Sequence, residues 1–380
     1  MKLLYWTPIF WPDIGGIELI TLRLIESMKE RGHEIVVLTS HGRVKTEDIS
    51  NHNGICIHRF PMVSSLYNND LKQLFTIQKE ILKIKNEFRP DIEHLNFGGP
   101  VPIGFFYLQT AKTYSAPLIV SLRTSINDFD ASKKSVTGNL LRKAAWVTGV
   151  SQAILKDAQK IIPEILSRSS VIYNGIVEET TQPTLLPFKD KCILYIGRLV
   201  HEKGVDLVLK AFSQIIKSYP STKLIIAGDG PKRNLLEKLS LDIQINHLVD
   251  FVGEYAPQTV FELINKATLV VVPSRYHEAF GQVALEASQM GRPVIASRVA
   301  GLEEIVIDQH TGLLVEMENS KAIAEAISFL LSNPDKAIQL GKNGYHRANS
   351  FFQWKKCVDS YENLYFNCRR LVNERKNNKL

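Results

Sequence analysis

Twice along this chain, short apolar runs alternate with segments of helical spacing, and the runs lead into glycine or polar residues. In the first half KLLYWT (2–7), HEIVVLTS (33–40), ICIHRFP (55–61), IEHLNF (92–97), PLIVSLR (117–123), AWVTGVS (145–151) and SSVIYNG (169–175) read as strands. Helical spacing runs there from about Ile17 to Arg31 and from Leu71 to Phe88. In the second half CILYIGR (192–198), KLIIAG (223–228), LVDFVG (248–253), LVVVPS (269–274) and PVIAS (293–297) are strands, separated by helices that start near Val205, Lys232, Thr259 and Gln282. Runs that are apolar throughout, without alternation, suit strands covered on both faces, and strand–helix alternation gives a mostly parallel sheet. The expected fold class is therefore α/β, with two facing Rossmann-like domains and an inter-domain crevice. Ligands of such sheets sit beyond the carboxyl ends of the strands.

The 380 residues exceed one ordinary domain. The stretch 178–191, EETTQPTLLPFKDK, is polar, carries two prolines and lacks periodicity, so it reads as a linker. The expected division is 1–177, an N-terminal Rossmann-like domain; 178–191, the linker; 192–350, a C-terminal Rossmann-like domain; and 351–380, a C-terminal helix with a basic tail. That helix, FFQWKKCVDSYENLYF, is rich in aromatics and ends in Arg369, Arg370, Arg375, Lys376 and Lys379.

Composition narrows the function. Hydrophobic residues make up 44% and charged residues 22%, which is a soluble globular balance. The formal charge of +7 favours anionic partners such as nucleotides, phosphates or acidic lipid. No basic stripe with interleaved aromatics marks a nucleic-acid binder. The four cysteines form no CxxC pair and no metal-ligand spacing, as expected for free thiols in a reducing cytoplasm. The N-terminus shows no secretory leader pattern, and no window is long and apolar enough for a membrane span.

Chemistry-bearing residues gather at the strand ends. Gly15-Gly16 follows the first strand; such a pair brings backbone N–H groups close to a phosphate, and equally makes a plain tight turn. Asp13 beside it can accept from a substrate hydroxyl or cap the loop. YIGRLVHEKG (195–204) opens the second half. Its two cations, Arg198 and Lys203, suit a diphosphate, one as a rigid fork and the other as a mobile point charge, and Gly197 and Gly204 flank them. Gly228 opens the sharp turn GDGP, and Gly253 in FVGE can lie beside a planar base, with Tyr255 either stacking or packing nearby. The stretch SRYHEAFGQVALEAS (274–288) combines a strand-end loop with the start of a helix. Its free N–H groups and positive dipole end make a phosphate site. Glu278 in the loop can reach sugar hydroxyls beyond that phosphate. Glu286, over one turn into the helix, can accept both hydroxyls of a ribose.

These pieces together resemble glycosyltransferase family 4, the retaining transferases of GT-B architecture. The matching stretches are GG at 15–16, GRLVHEKG at 197–204, GDGP at 228–231, FVGE at 251–254, PSRYHEAFGQVALEA at 273–287, GRPVIAS at 291–297, and GLEEIV at 301–306 with TGLLV at 311–315. The resemblance spans nearly the whole chain and is sharpest at the paired glutamates Glu278 and Glu286. It implies transfer of a hexosyl group from a nucleotide-diphosphate sugar, with UDP or GDP as carrier, to a glycan or lipid-linked glycan in cell-surface polysaccharide synthesis. Arg198 and Lys203 then hold the diphosphate and offset its charge as it leaves. Glu286 binds the ribose, Glu278 the donor sugar, and the amides of Gly16 and of Phe280, Gly281 and Gln282 surround the phosphate. The C-terminal helix crosses back to brace the first domain. No further cofactor and no metal are expected: Asp128-Phe129-Asp130 is a D-x-D, but the cations and the helix end already serve the diphosphate. The expected location is cytoplasmic, with a peripheral contact to acidic membrane lipid through Lys133-Lys134, Arg142-Lys143 and the tail.

One family feature is missing. Many members carry a histidine after the strand that here reads PLIVSL, where it contacts the donor sugar. This chain has Arg123 there, expected to emerge at the crevice and to meet an acidic sugar, to pair with Asp128 or Asp130, or to point to solvent. His94 matches another family histidine and is a further candidate for a sugar or acceptor contact. Two other functions share the architecture: a sugar-nucleotide epimerase, and a non-catalytic nucleotide-sugar-binding protein.

Overall fold

The computed structural model describes residues 1–13, 15–98, 102–112, 116–127, 129–176, 181–255, 259–276 and 278–377, without the side chains of 372, 373 and 375–377. Asp128, the first residues of the expected linker (178–180) and the Arg375, Lys376 and Lys379 side chains of the tail lie outside the described residues. The chain forms two compact units, Met1–Tyr173 with the stretch from Lys355 onward, and Asn174–Trp354.

In the first unit the elements run β1 (Lys2–Thr7), α1 (Gly16–Glu30), β2 (Glu34–Ser40), β3 (Ile49–His52), β4 (Ile55–Phe60), α2 (Met62–Tyr67), α3 (Leu71–Phe88), β5 (Ile92–Phe97), α4 (Pro102–Thr110), β6 (Leu118–Leu122), α5 (Val136–Lys143), β7 (Trp146–Gly149), α6 (Gln152–Ile161) and β8 (Ser169–Val171). The eight strands lie in the order β3-β4-β2-β1-β5-β6-β7-β8. All neighbours are parallel except the edge pair β3 and β4. The second unit runs β9 (Cys192–Ile196), α7 (Val205–Ile215), β10 (Lys223–Ala227), α8 (Arg233–Asp242), β11 (Val249–Gly253), α9 (Val260–Lys266), β12 (Leu269–Val272), α10 (Gln282–Gln289), β13 (Val294–Ser297), α11 (Ala300–Ile305), β14 (Gly312–Val315), α12 (Ser320–Ser332) and α13 (Pro334–Phe351). Its six parallel strands follow the order β11-β10-β9-β12-β13-β14.

β5, β6, β9, β12 and β13 are buried at every position, CILYI in β9 and LVVV in β12 among them. Helices on both faces account for this, and each large side chain so buried contributes about 1.5–3 kcal/mol. In both units the strand order reverses beside the first strand, between β1 and β5 and between β9 and β12. Loops leaving the two strands there run to opposite faces, so a cleft opens at their carboxyl ends. In the second unit the pairing of β9 with β12 is recorded at Ile193 with Leu269 and Leu194 with Val270, before either strand ends.

The closing helix α14 (Trp354–Asn377) belongs to the first unit from Lys355 onward. Its residues Cys357, Val358, Tyr361, Leu364, Tyr365 and Cys368 are buried at helical spacing. Arg31 binds Asp359 and Glu362, each at 2.6 Å, and fixes the helix from its outer face. The sequence places the start of this helix at Phe351, but the structure breaks there. α13 runs to Phe351, Phe352 is 2% exposed and packs edge-on to Phe280, and Ile176 bridges the break by donating to the Phe352 carbonyl and accepting from the Trp354 amide. The polar stretch 181–191, read as a linker, lies against the second unit. Arg292, 1% exposed, donates to the Thr184 carbonyl and hydroxyl, both at 2.7 Å.

Candidate active site

β9 ends at Ile196, and the chain turns through Gly197 at φ 150. Arg198 is exposed, and its guanidinium makes no hydrogen bond or ion pair among the described residues. Below it the buried Tyr195 hydroxyl donates to the Arg198 carbonyl at 3.0 Å. A 3-10 turn, His201–Lys203, then delivers Lys203, and Gly204 at φ 65 starts α7. A Cβ on Gly204 would lie 2.2 Å from the Pro273 carbonyl, so a glycine is required where this loop meets the loop after β12.

That second loop carries Glu278. Its carboxylate oxygen Oε2 accepts from Lys203 Nζ at 2.5 Å and from Ser274 Oγ at 2.8 Å. The side chains are 29% and 14% exposed, so the pair is partly shielded yet open on one side. Lys203 retains two N–H donors beyond this bond. Burial and the Glu278 charge together push the Tyr195 hydroxyl above its ordinary range. The loop closes through Phe280, 4% exposed, and Gly281 at φ 98, where a Cβ would press on Leu302 at 2.6 Å. Gly281 caps α10 with no side-chain hydrogen bond, which leaves the first-turn N–H groups of that helix without a side-chain cap. The Gln282 side-chain oxygen is buried and accepts no hydrogen bond among the described residues. Such an orphaned acceptor costs about 1–3 kcal/mol, which a ligand N–H or O–H can recover. Glu286 is half-buried one turn further on, and its charge, after burial, helps push the nearby Tyr255 hydroxyl up to about 12. Gly228 and Gly253 join β10 and β11 by a 2.8 Å backbone bond, and a Cβ on Gly228 would strike the Gly197 carbonyl at 1.9 Å.

The structure thus brings Gly197, Arg198, Lys203, Glu278, Phe280, Gly281 and Gln282 to the strand-order reversal of one sheet. Sequence reading missed three residues of this neighbourhood: Ser274, which holds Glu278, and the ion pair of Arg275 with Asp206. An arginine in the strand-end loop that carries the glutamate, with an aspartate in the first turn of the facing helix, was the available signal.

The first unit treats its candidates differently. Gly16 begins α1 behind Gly15, which gives no side-chain cap; a Cβ on Gly16 would meet nothing within 4 Å, whereas one on Gly15 would lie 2.3 Å from the Glu18 carboxylate in the same first turn. Asp13 is 6% exposed and its Oδ1 accepts from the Arg43 backbone amide at 3.0 Å, which is a loop-holding role. His94 corrects the sequence reading: it lies inside β5 with no exposure. Its Nδ1 is bonded to the Tyr365 hydroxyl at 2.6 Å and its Nε2 to the Ser121 hydroxyl at 2.7 Å, so both ring nitrogens are taken within the protein. Burial and the nearby Arg123 charge hold it well below the usual histidine range, as a neutral ring. Arg123 follows β6 and is buried rather than open to solvent. It is 6% exposed, donates to Asn96 Oδ1 at 3.3 Å and lies 5.8 Å from the centre of the Tyr361 ring. Asp130, one of its two expected partners, binds Ser132.

Among the described residues, no three His, Cys, Asp or Glu side chains converge as a metal site. No helix among them is long and apolar enough to cross a membrane.

A family model described as Glycosyl transferases group 1 matches residues 177–347, and one described as Glycosyltransferase Family 4 matches residues 14–180. An uncharacterized glycosyltransferase of Methanocaldococcus jannaschii is 30% identical over 363 residues, covering 94% of this chain and 96% of that protein. The fold is similar to sucrose-phosphate synthase from Thermosynechococcus elongatus, with a TM-score of 0.82, 22% identity and coverage of 98% of this chain and 100% of the other. It is also similar to Anabaena HepE, whose structure holds UDP-glucose, with a TM-score of 0.76, 20% identity and coverage of 96% and 99%.

Proposed function

Since the chain belongs to the family 4 glycosyltransferases, GT-B enzymes that transfer a sugar from a nucleotide-diphosphate sugar to an acceptor, we propose that it moves a hexosyl group, with retention, to a glycan or lipid-linked glycan of the cell surface. The observation that carries the reading is the Lys203–Glu278 pair at the strand reversal, between an unengaged Arg198 and the uncapped start of α10. UDP-glucose in a similarly folded protein supports a UDP-hexose as the first donor to try, with GDP sugars beside it.

In this reading the diphosphate lies over the α10 amides and takes Arg198 and the remaining Lys203 donors. Glu278, held by Ser274, accepts from a hydroxyl of the donor hexose, and Glu286 accepts from the ribose. When the anomeric carbon–oxygen bond breaks, the electron pair stays on the phosphate oxygen. Cations and amides placed there stabilise that growing charge more than they stabilise the bound donor, which is what lowers the barrier. The leaving phosphate takes the proton of the acceptor hydroxyl as that oxygen bonds the anomeric carbon from the same face.

Peripheral contact with acidic lipid remains part of the proposal on a reduced set of residues. Arg142 is engaged by Glu164 at 2.8 Å and Arg369 by Asp91 at 2.9 Å, whereas Lys133 and Lys134 are exposed.

The test is incubation with a panel of UDP and GDP hexoses, with and without cell-envelope lipid extract. Acceptor-dependent formation of a product with retained anomeric configuration is expected. Conversion of the donor sugar without acceptor would make the protein an epimerase, and donor binding without any turnover would make it a binding protein.

A further inference from the structure

Lys203 and Glu278 come from different loops, yet their terminal atoms lie 2.5 Å apart. One buried residue connects those loops. Arg275 is 6% exposed and sits three positions before Glu278. Its backbone amide donates to the Glu202 carbonyl and its Nη1 to the His201 carbonyl, each at 2.9 Å. Its guanidinium also holds the Asp206 carboxylate in a two-point grip, Nη1 to Oδ1 at 2.7 Å and Nη2 to Oδ2 at 2.9 Å. Nε reaches Glu318 at 2.5 Å. Lys203 is therefore bracketed: the two residues before it and the residue three after it are all fastened to Arg275.

We propose that Arg275, with Asp206 as its two-point partner, is the positioning residue that sets the spacing and direction of Lys203 and Glu278 in the donor site. This rests on reading that pair as the diphosphate and sugar groups. A planar fork bonded twice to one carboxylate fixes an angle as well as a distance; a lysine ammonium fixes neither. The Asp206 grip and the His201 and Glu202 carbonyls hold the β9 loop, and Ser274, next to Arg275 in the other loop, holds the Glu278 carboxylate at 2.8 Å. Lys210 also binds Asp206, at 3.2 Å, and keeps that carboxylate seated from its own helix. Glu318 is 57% exposed and contributes less, because water screens it.

The experiment compares Arg275→Lys, Arg275→Met and Asp206→Asn with Lys203→Ala and Glu278→Gln, using the donor that turns over in the panel. Readouts are kcat, KM, calorimetric affinity for the corresponding free nucleoside diphosphate, and thermal midpoint. Displacing a positioned group by about 1 Å can cost about 100-fold in rate. Arg275→Lys and Asp206→Asn are expected to lower kcat by about 10- to 100-fold while nucleotide affinity stays within about threefold. The double variant Arg275→Lys/Asp206→Asn should be no slower than the worse single one, since one grip is lost once. If the Arg275 variants do not fold, Asp206→Asn, which keeps size and shape, decides the matter. Parent kcat per folded molecule in the variants that fold, with only the thermal midpoint lowered, would overturn the proposal. Additive loss in the double variant would do the same. Normal turnover in Lys203→Ala and Glu278→Gln would instead overturn the reading of the site itself, so the two failures are distinct.

Discussion

The two units share the strand order around their first strand, and both reverse it at the same place, yet the polar residues at and near that place differ in exposure. In the second unit the loops leaving the strands at the reversal carry Arg198, Lys203 and Glu278 at or near the surface. In the first unit β5 and its neighbours β6 and β7 carry polar groups turned inward. His94, Asn96 and Thr148 have no exposure, Ser121 has 1% and Arg123 has 6%. Tyr361 and Tyr365 of α14 lie over them, and the Tyr365 hydroxyl meets both His94 and Tyr5, the latter at 2.7 Å. Topology gives each unit the same strand reversal, and what covers the strand ends decides how far their polar residues are exposed.

Substitutions that cost turnover in one unit and stability in the other would sharpen this comparison. The largest effect is expected from Lys203→Ala. Removing a donor aimed at developing charge lowers rate by about 100- to 1,000-fold, equivalent to about 2.7–4 kcal/mol. Steady-state kinetics at saturating donor should show that loss with a thermal midpoint near the parent's. Near-normal turnover would break the contrast from the donor side.

Tyr365→Phe comes next, and should act on stability. It leaves the Tyr5 hydroxyl and the His94 ring short of a partner in the interior, at about 1–3 kcal/mol for each buried group so orphaned. A denaturant titration should show the lowered midpoint, while affinity for the free nucleoside diphosphate holds. A variant with parent stability but impaired transfer would mean that the first unit's network serves catalysis after all.

Glu286→Gln should weaken nucleoside diphosphate binding by about tenfold, since it trades a charge-assisted acceptor for a neutral one of the same size. Calorimetry reads this directly, and unchanged affinity would return Glu286 to the helix surface. The smallest effect is expected from excess EDTA. Arg198, Lys203 and the α10 amides already face the diphosphate in our reading, so activity should persist. Full loss that a divalent ion restores would show that this cation set is insufficient by itself.

The sequence by itself determined the strand–helix alternation of both units and the loops that carry the candidate donor-site residues, because both rest on local signals; the edge strand β3, the last strand β14 and the two strand orders came only with the structure. Unbroken apolar runs mark strands covered on two faces, glycines mark the turns where two loops touch, and the spacing from Glu278 to Glu286 fixes a loop residue against a helix residue. Three further things it did not determine. His94 and Arg123 looked like ligand groups because they lie in or just after strands, as the donor-site residues do. The long separation from Tyr361 and Tyr365 hid the cover that buries them. The break at Phe352 was invisible because an aromatic-rich run reads as one helix until Ile176, far away in sequence, supplies the hydrogen bonds that interrupt it. Arg275 and Asp206 stand 69 residues apart, so their grip on the donor loops exists only once β9 and β12 lie side by side. Burial and long-range pairing are properties of the packed chain, and packing decided which charged groups remain available to a ligand.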